Sequence, residues 1–476
     1  MINSCYVNGK WISANSGKTF PVINPGDMLE IGHVPYCGAQ EAAMAVKAAY
    51  DALKTWKKTT GKERSKILRK AFDLVMLNHE KLARTMVLEQ GKAIKEARNE
   101  ITYSASFIEW FAEEAKRIYG DIVPVVKANQ KLFTLRQPIG VVAAITPWNF
   151  PLAMIVRKVA PALAAGCTVV IKPSEETPYT ALEFVKILEE AGLPAGVVNV
   201  VFGDAPAIGE VLTTHPDIAK FTFTGSTKVG KMLYAKCTST VKKVTLELGG
   251  NAPFIVFDDA DLDKAVAGLT ASKLRNGGQS CICANRVYVH ESVVDEFVSK
   301  LKKTFGSMRV GDGLKEETDI GPMINKAAVA KILGLLDDAK QKGSEVIYSG
   351  DIPLGNGCYA APTIIINKST DTEIEKNEIF GPIISIFTFK TDEEVLMRAN
   401  NTRYGLASYF YTKSQTRMWE VAEELEYGLV GANDVALSSE MASFGGVKES
   451  GIGREGGSSG IDEFLEDKFM ATDVKK

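Results

Sequence analysis

The spacing of apolar and polar positions changes along the chain and divides it into regions. Between residues 40 and 119 apolar residues recur at helical spacing, most clearly in residues 42–53 and 66–77, and predict a helical layer. Residues 120–136 alternate in polarity and contain many β-branched side chains, a pattern typical of strands. We therefore expect a short β excursion that leaves the helical layer and returns to it.

After Gly140 short apolar runs alternate with helical stretches. We expect Thr177 to cap one of these helices, with Pro178 at its first position and Gly192 after its end. The predicted strands are residues 141–146, 167–172, 197–201, 219–224 and 241–247. Repeated β-α-β alternation predicts a mainly parallel sheet with helices on both faces, and nucleotides bind such sheets beyond the carboxyl ends of the strands.

A second α/β region follows Asn251. Its pattern predicts helices over residues 261–275 and 328–342, and strands near residues 287–290 and 383–389. A chain of 476 residues is too long for one hydrophobic core, so two or more domains are expected. The predicted fold class is α/β, with a parallel-sheet nucleotide domain followed by a second α/β domain.

The composition argues against several kinds of partner. A 45% hydrophobic and 24% charged content with a net charge of −2 is ordinary for a globular protein, and no block of like charge suggests nucleic acid or a membrane surface. The apolar runs are too short to span a bilayer, and the N-terminus has no signal core. Seven scattered cysteines indicate the reducing cytoplasm, and four histidines without ligand spacing give no metal site.

Three polar side chains stand at junctions between the predicted elements. Cys281 follows a Gly-Gly-Gln-Ser turn, Glu247 ends a strand before two glycines, and Asn149 lies between two prolines. A thiol nucleophile, a carboxylate base and an amide donor are the groups that acyl chemistry on sulfur needs. The alternative roles are a buried inert cysteine, which is the commoner fate of a lone cysteine, a solvated glutamate and an asparagine that only serves its turn.

These residues and the motifs around them resemble the aldehyde dehydrogenase superfamily over essentially the whole chain. The motifs, in family order, are Pro147-Trp148-Asn149-Phe150-Pro151, Ile171-Lys172-Pro173-Ser174-Glu175, Phe223-Thr224-Gly225-Ser226-Thr227, Leu246-Glu247-Leu248-Gly249-Gly250-Asn251, Gly278-Gln279-Ser280-Cys281, Glu378-Ile379-Phe380-Gly381-Pro382 and Phe444-Gly445-Gly446. The resemblance implies an NAD-binding domain (residues 1–119 and 138–247), a catalytic domain (248–460) and an arm (120–137 and 461–476) that builds a homodimer or homotetramer.

The resemblance also implies a role for each candidate catalytic residue. Cys281 would attack an aldehyde carbonyl to form a thiohemiacetal and then a thioester. Asn149 and the backbone N–H of Cys281 would stabilise the oxyanion. Glu247 would activate the water that hydrolyses the thioester.

For the cofactor, the chain has Gly225-Ser226-Thr227-Lys228-Val229-Gly230 instead of the dinucleotide fingerprint, yet this segment also follows a strand and opens a helix. The resemblance implies that Ser226 contacts the pyrophosphate and Lys172 the adenosine ribose, while Glu378 and Phe380 hold the nicotinamide riboside. The remaining predicted cofactor residues are Thr146, Pro147, Trp148, Ser174, Glu175 and Gly225. A carboxylate near the ribose 2′ position repels a 2′-phosphate, so Glu175 predicts NAD in preference to NADP.

Two arginines bear on the substrate. Arg157 and Arg275 resemble the positions at which succinate-semialdehyde dehydrogenases bind the substrate carboxylate, and Ser439 aligns with a third contact there. Phe444 is a fourth predicted substrate-binding residue. Guanidinium groups suit a planar carboxylate, and the resemblance implies that the substrate is succinate semialdehyde. The alternatives are structural arginines, or another small aldehyde such as glutarate semialdehyde, glycolaldehyde or lactaldehyde.

Two further alternatives and one regulatory hypothesis follow from the resemblance. Acyl transfer to coenzyme A is disfavoured by the presence of Glu247, and a catalytically silent homologue by the intact trio of candidate residues. Cys283 would pack without chemistry of its own, on the same face as Cys281 if the segment were a regular strand. In some semialdehyde dehydrogenases such a cysteine pair acts as a redox switch, although thiols two residues apart in a strand are close to the limit of reach.

Overall fold

The structure is a computed structural model that describes residues 2–369 and 371–474. The strands are β1 (Cys5–Val7), β2 (Lys10–Ile12), β3 (Thr19–Ile23), β4 (Glu30–Pro35), β5 (Asp121–Val123), β6 (Gln130–Pro138), β7 (Val141–Ile145), β8 (Thr168–Lys172), β9 (Val198–Val200), β10 (Ile218–Thr224), β11 (Lys243–Glu247), β12 (Ala252–Val256), β13 (Ala284–His290), β14 (Glu345–Ser349), β15 (Thr363–Ile366), β16 (Ile383–Phe389), β17 (Tyr404–Gly405), β18 (Ala407–Tyr411), β19 (Leu429–Ala432), β20 (Val447–Lys448), β21 (Gly451–Ile452) and β22 (Leu465–Asp473).

The helices are α1 (Ala39–Trp56), α2 (Gly61–Leu77), α3 (His79–Gln90), α4 (Ile94–Glu114), α5 (Ala153–Ala165), α6 (Pro178–Glu190), α7 (Ala205–Thr214), α8 (Thr227–Cys237), α9 (Leu262–Leu274), α10 (Val294–Phe305), α11 (Lys326–Gln341), α12 (Glu373–Lys376), α13 (Asp392–Asn400), α14 (Gln415–Glu424) and α15 (Ser459–Asp462). Among the described residues, none of these helices combines the length and apolar character that a membrane crossing requires.

Two large sheets confirm the predicted α/β class. The first has the order β2-β1-β9-β8-β7-β10-β11-β21, with a parallel centre from β9 to β11. The second has the order β14-β15-β16-β13-β12-β18-β19 and is parallel apart from β14. Buried aliphatic and aromatic side chains from the helices cover both faces of each sheet, which is the usual arrangement for mainly parallel sheets.

A third, smaller sheet has the order β22-β6-β5. The nine residues of β22 pair antiparallel with the nine of β6, so the end of the chain returns to the segment that precedes β7. Large apolar side chains are exposed here: Phe469 is 65% exposed and Ile122 80%. An apolar surface of this kind is typical of a protein–protein contact.

Most predicted elements are present, and the differences have local causes. The strand expected over residues 241–247 begins at Lys243, because Val241 has a left-handed backbone with φ 51°. Thr177 lies at the N-cap of α6, but its side chain makes no capping hydrogen bond. The strand expected at 287–290 begins earlier, at Ala284, where it meets Ala252 of β12.

The strand register brings the site together. Thr224 at the end of β10 pairs with Glu247 at the end of β11, and Phe223 pairs with Ile145 at the end of β7. The segments after these strands therefore leave the first sheet on the side where the carboxyl ends of its parallel strands lie. The chain then crosses from Glu247 to Ala252 and starts the second sheet, so the amino ends of β12 and β13 face the carboxyl ends of the first sheet.

Candidate active site

Cys281 lies in a tight turn between α9 and β13. The turn needs three consecutive residues with left-handed backbones, Asn276 (φ 52°), Gly277 (φ 61°) and Gly278 (φ 80°), which glycine and asparagine tolerate best. A side chain at Gly250 would come within 2.2 Å of the Cys281 carbonyl oxygen, so only glycine allows the Glu247 segment to approach so closely. The Cys281 thiol is half-buried and lines a cavity of about 280 Å³.

The surroundings of the Cys281 thiol disfavour its charged form. Burial raises the pKa of Cys281 to about 12, and the Glu378 and Glu247 carboxylates add to the rise. The Arg157 guanidinium acts in the opposite direction. Deprotonation of Cys281 in this state therefore depends on a nearby positive charge.

Cys283 belongs to the turn and not to a regular strand. The expectation that it lies on the same face as Cys281, which required a regular strand, therefore does not apply. Its backbone N–H donates to Ser280 O at 3.2 Å, and β13 begins only at the next residue. The Cys283 thiol is buried, 3.3 Å from Gly278 O and 3.8 Å from the Lys273 ammonium. Packing of Cys283 against the turn agrees with its expected default role.

Glu247 ends β11 and is buried. Its Oε2 atom has no hydrogen-bond partner among the described residues. Burial raises the pKa of Glu247 well above the usual carboxyl range, and the neighbouring Glu455 carboxylate adds to the rise against the cations Arg157 and Lys158. A buried carboxyl with a raised pKa has the character of a general base or acid.

Glu455 is a site residue that the sequence reasoning missed. Its carboxylate lies 2.9 Å from Arg157 and also accepts a hydrogen bond from Lys158, whose ammonium donates to Thr224 as well. Burial alone would raise the pKa of Glu455, but the two cations lower it, so Glu455 is the charged neighbour of Glu247. The available signal was an Arg-Lys pair on α5 and a glutamate within the late glycine-rich loop.

Asn149 faces the Cys281 turn. Its side-chain amide donates to Gln279 O at 3.1 Å, and its Oδ1 atom is buried with no partner in the described part of the chain. An amide nitrogen has two hydrogens, so one donor is available for a second acceptor. This is the arrangement expected of an oxyanion donor beside a nucleophile.

The same cavity contains the predicted nicotinamide end of the cofactor site. Phe380 and Trp148 meet edge to face with ring centroids 5.5 Å apart. Glu378 Oε1 accepts a hydrogen bond from Gly250 N at 3.1 Å, and burial raises the pKa of Glu378 to about 7. Other predicted cofactor residues that line this cavity are Pro147, Gly225 and Ser226.

The predicted phosphate end lies at the start of α8. Ser226 is exposed and caps this helix by accepting from Val229 N at 3.4 Å, while Gly225 N donates to Glu247 O at 3.0 Å. The first turn of α8 has no acidic residue, so its N–H groups and dipole favour an anion.

The predicted adenosine residues lie beside this region at the end of β8. Lys172 forms an ion pair with Glu175 and donates to Pro173 O at 3.2 Å. Ser174 accepts from Glu176 N, and Thr146 N donates to Lys172 O at 3.2 Å, which joins the ends of β7 and β8. These residues form a polar edge outside the Cys281 cavity.

The two predicted substrate arginines have different surroundings. Arg157 is fully buried, pairs with Glu455, and lies with its guanidinium 4.0 Å from the centre of the Phe444 ring. Burial disfavours its charge, but the Glu455 carboxylate outweighs this and raises the pKa of Arg157. The structure thus brings Arg157 and Phe444, two of the predicted substrate residues, together.

Arg275 is only partly buried and lines a second cavity, of about 430 Å³. Its guanidinium lies 5.0 Å from the Phe150 ring centre and 5.9 Å from that of Tyr103. The Tyr103 hydroxyl bonds to Ser438, which precedes the predicted Ser439. Ser439 itself contacts Glu440 in this structure, so its loop lies near Arg275 but no contact joins the two residues.

Comparison with known proteins gives one consistent result. The sequence profile described as "Aldehyde dehydrogenase family" matches residues 11–470. Succinate-semialdehyde dehydrogenase [NADP(+)] of Escherichia coli is 51% identical, with 98% of this chain and 96% of the relative covered. Glutarate-semialdehyde dehydrogenase of Pseudomonas putida is 50% identical, with coverage of 98% and 97%.

The fold is equally similar to solved structures. The crystal structure of succinate-semialdehyde dehydrogenase from Burkholderia pseudomallei superposes with a TM-score of 0.98 at 49% identity, and covers 99% of this chain and 98% of that one. A score this high confirms the particular α/β fold that the sequence motifs implied.

Proposed function

The chain belongs to the aldehyde dehydrogenase family, and from this premise we propose that it oxidises succinate semialdehyde to succinate with NAD as the hydride acceptor. The observation that carries the substrate is the pair of cations Arg157 and Arg275 on aromatic side chains around the Asn149 and Cys281 turns. A four-carbon aldehyde with a terminal carboxylate matches a thiol nucleophile with one guanidinium, Arg157, close enough to lower its pKa and a second, Arg275, on the Phe150 ring next to Asn149.

The first step belongs to Cys281. Its thiol gives its proton to solvent water, and the thiolate sulfur attacks the aldehyde carbon while the carbonyl double bond opens, which gives a thiohemiacetal anion whose oxygen carries the negative charge. The free Asn149 N–H and the Cys281 backbone N–H are the donors for this oxygen. Pre-aimed donors of this kind are each worth about 2.7–4 kcal/mol in other enzymes.

The residues of the cofactor region fit a nicotinamide dinucleotide. A helix N-terminus without acidic residues suits the pyrophosphate, and carboxylates at Glu175 and Glu378 suit ribose hydroxyls. The chemistry that bound NAD supplies is acceptance of the hydride from the thiohemiacetal carbon. With that hydride removed, Cys281 would hold the acyl group as a thioester.

Glu247 completes the reaction. Its carboxylate takes a proton from water, the water oxygen attacks the thioester carbon, and Cys281 leaves as the thiolate while the acid forms. The raised pKa of Glu247 makes it a stronger base than a solvated carboxylate. Because this base is present, hydrolysis is favoured over transfer of the acyl group to coenzyme A.

Cofactor preference depends on Glu175. The family uses NAD or NADP, and a relative that is 51% identical carries NADP(+) in its name. In this chain the Glu175 carboxylate, paired with Lys172, would repel a 2′-phosphate and accept from a free 2′-hydroxyl. This supports NAD as the preferred cofactor.

Two properties of the whole protein complete the proposal. The exposed apolar side chains of β5 and β22 support assembly into a homodimer or homotetramer through that sheet. All seven cysteines lie in the described part of the chain and are free thiols, which supports the reducing cytoplasm as the compartment.

The decisive experiment compares kcat/KM for succinate semialdehyde and butyraldehyde at saturating NAD. The two aldehydes differ mainly in the terminal carboxylate, so a charge-assisted contact predicts a preference of about 10- to 150-fold for the semialdehyde, from about 1.5–3 kcal/mol. Equal values would leave a general aldehyde dehydrogenase. Absence of NADH formation with every aldehyde would indicate a silent homologue.

Glutarate semialdehyde is the second candidate substrate. The Pseudomonas putida relative that bears this name is almost as similar as the first relative, so overall identity does not separate the two chain lengths. Glutarate semialdehyde therefore belongs in the same assay. A higher kcat/KM for the five-carbon compound would replace the primary proposal with this one.

A further inference from the structure

Asn149 and Cys281 belong to two turns that are far apart in the sequence, so chain connectivity alone does not fix the position of one turn relative to the other. One turn follows β7 of the first sheet, and the other precedes β13 of the second. Oxyanion stabilisation needs the Asn149 amide at a fixed distance from the point of attack, and a misplacement of 1 Å can cost about 10²-fold in rate. Some set of contacts must therefore fix one turn against the other.

Asn276 makes these contacts. It is fully buried, and its amide nitrogen donates to Asn149 O at 2.8 Å and to Gln279 O at 3.3 Å. The Asn149 side chain donates to the same Gln279 carbonyl at 3.1 Å. The Asn276 side-chain amide thus joins the backbone of the Asn149 turn to the backbone of Gln279, which is two residues before the nucleophile.

Other polar atoms of Asn276 are also hydrogen-bonded, to residues outside the two turns. Its Oδ1 atom accepts from Gln90 Nε2 at 3.1 Å, and its backbone N–H donates to Glu96 Oε1 at 2.7 Å. Its left-handed backbone, with φ 52°, is one that asparagine tolerates better than most residues. The side chain is therefore fixed in one orientation before any substrate binds.

Lys92 secures the far side of the Asn149 turn. Its fully buried ammonium donates to Asn149 O at 2.8 Å and to Glu100 Oε2 at 2.5 Å. The other Glu100 oxygen accepts from Leu152 N at 3.0 Å and Ala153 N at 3.2 Å, at the start of α5. A buried ion pair thus holds the turn between β7 and α5.

We propose that Asn276, supported by Lys92, is a positioning residue that sets the separation between the Asn149 amide and the Cys281 thiol and so acts on the reaction through Asn149. This inference rests on the proposed function, since it concerns the same reaction. Asn276 has no contact with the cavity that Cys281 lines, which separates it from the groups that would touch substrate.

The primary test is Asn276→Gly, because glycine keeps the left-handed backbone and removes only the side-chain amide. We expect kcat for succinate semialdehyde to fall about 10²-fold with little change in KM. Asn276→Asp keeps the shape and the acceptor for Gln90 but loses both donors, and should fall similarly. Wild-type activity in either variant would overturn the inference.

Asn8→Gly is the matched control for the change of residue. Asn8 has nearly the same left-handed backbone, with φ 53°, and lies in an exposed turn between β1 and β2. Its activity should equal that of the wild type. Unchanged thermal unfolding of Asn276→Gly would show that the variant folds, whereas Lys92→Met would leave Glu100 buried and unpaired and is the poorer probe.

A double-mutant cycle with Asn149→Ala separates positioning from general support of the fold. If Asn276 acts through Asn149, then Asn276→Gly should cost little once the Asn149 amide is gone. Losses that multiply would contradict the inference. Alkylation of Cys281, the one cysteine that is not buried, should proceed at the wild-type rate in Asn276→Gly, because the backbone bonds that shape its turn, from Gln279 N to Asn276 O and from Cys283 N to Ser280 O, do not need the Asn276 side chain.

The same assays separate the two levels of the argument. A wild-type protein that forms no NADH with any aldehyde would overturn the proposed function. A wild-type protein that is active, with Asn276→Gly and Asn276→Asp equally active, would overturn only the positioning role.

Discussion

The cofactor end and the reaction end of the cleft are constructed differently. At the phosphate and adenosine part of the cofactor end, the side-chain contacts are local: Ser226 caps its own helix, and Lys172 pairs with Glu175 three residues on. At the reaction end, contacts join distant segments, such as the bond from Asn149 to Gln279, 130 residues apart. Local contacts let a residue change without disturbing the fold, so substitutions should alter preference at the first end and rate at the second.

The largest effect is expected at Glu247. Glu247→Gln keeps the size of the side chain but cannot take a proton from water, so steady-state kcat should fall about 10²- to 10⁴-fold. The first turnover does not need this base, and rapid mixing with succinate semialdehyde should still give a burst of NADH close to one per active site. Loss of the burst together with turnover would contradict a role limited to hydrolysis.

The pH profile sharpens this prediction. Glu247 acts as a base only when ionised, and its pKa is raised, so wild-type turnover should fall as the pH drops below that raised pKa. The residual turnover of Glu247→Gln should lack this acid limb. A wild-type profile that stays flat down to the ordinary carboxyl range would argue against the buried carboxylate as the base.

An intermediate effect is expected at the two substrate arginines, because Arg157 has a buried ion-pair partner distant in the sequence and Arg275 is only partly buried. Arg275→Leu removes a cation that lies on the Phe150 and Tyr103 rings, and kcat/KM for succinate semialdehyde should fall about 10- to 150-fold while butyraldehyde is unaffected. Arg157→Leu breaks a buried pair with Glu455 and should also lower the unfolding temperature.

Arg275→Lys provides the control for this comparison. It keeps the charge but loses the planar fork, so an intermediate loss is expected. Equal losses for both aldehydes in Arg275→Leu would reduce Arg275 to a support for Phe150 and Tyr103.

The same contrast explains what could be predicted from the sequence. The strands of the first sheet and the junction positions of Glu247, Asn149 and Cys281 follow from short-range patterns, because each depends on a few neighbouring residues. Glu455 and Asn276 could not be found in this way. Their importance arises from contacts with residues more than a hundred positions away, such as Arg157 and Asn149, and no local periodicity encodes such contacts.

A smaller effect is expected at the local, cofactor end. Glu175→Ser should raise kcat/KM for NADP about tenfold relative to NAD, which corresponds to about 1.4 kcal/mol, because a carboxylate that repels the 2′-phosphate is removed. The matched control is Glu176→Ser, which removes the carboxylate next to Glu175 in the sequence. The Glu176 carboxylate accepts a hydrogen bond from Asn325. No gain in NADP use, or an equal gain in the control, would exclude Glu175 as the determinant.

The smallest effect on turnover is expected at Cys283, which lies beside the nucleophile but in a turn packed against Lys273 and Gly278. Cys283→Ala should stay active, because the thiol lines no part of the cavity around Cys281.

The effect of Cys283→Ala should appear when the enzyme is treated with peroxide. If Cys283 captures oxidised Cys281 as a disulfide, wild-type inactivation is reversed by added thiol, whereas the variant oxidises further and stays inactive. Cys358→Ala, a buried cysteine beside Met28, is the control and should behave like the wild type. Full recovery of Cys283→Ala by thiol would exclude this pairing as the cause, and the turn would then serve only to present Cys281.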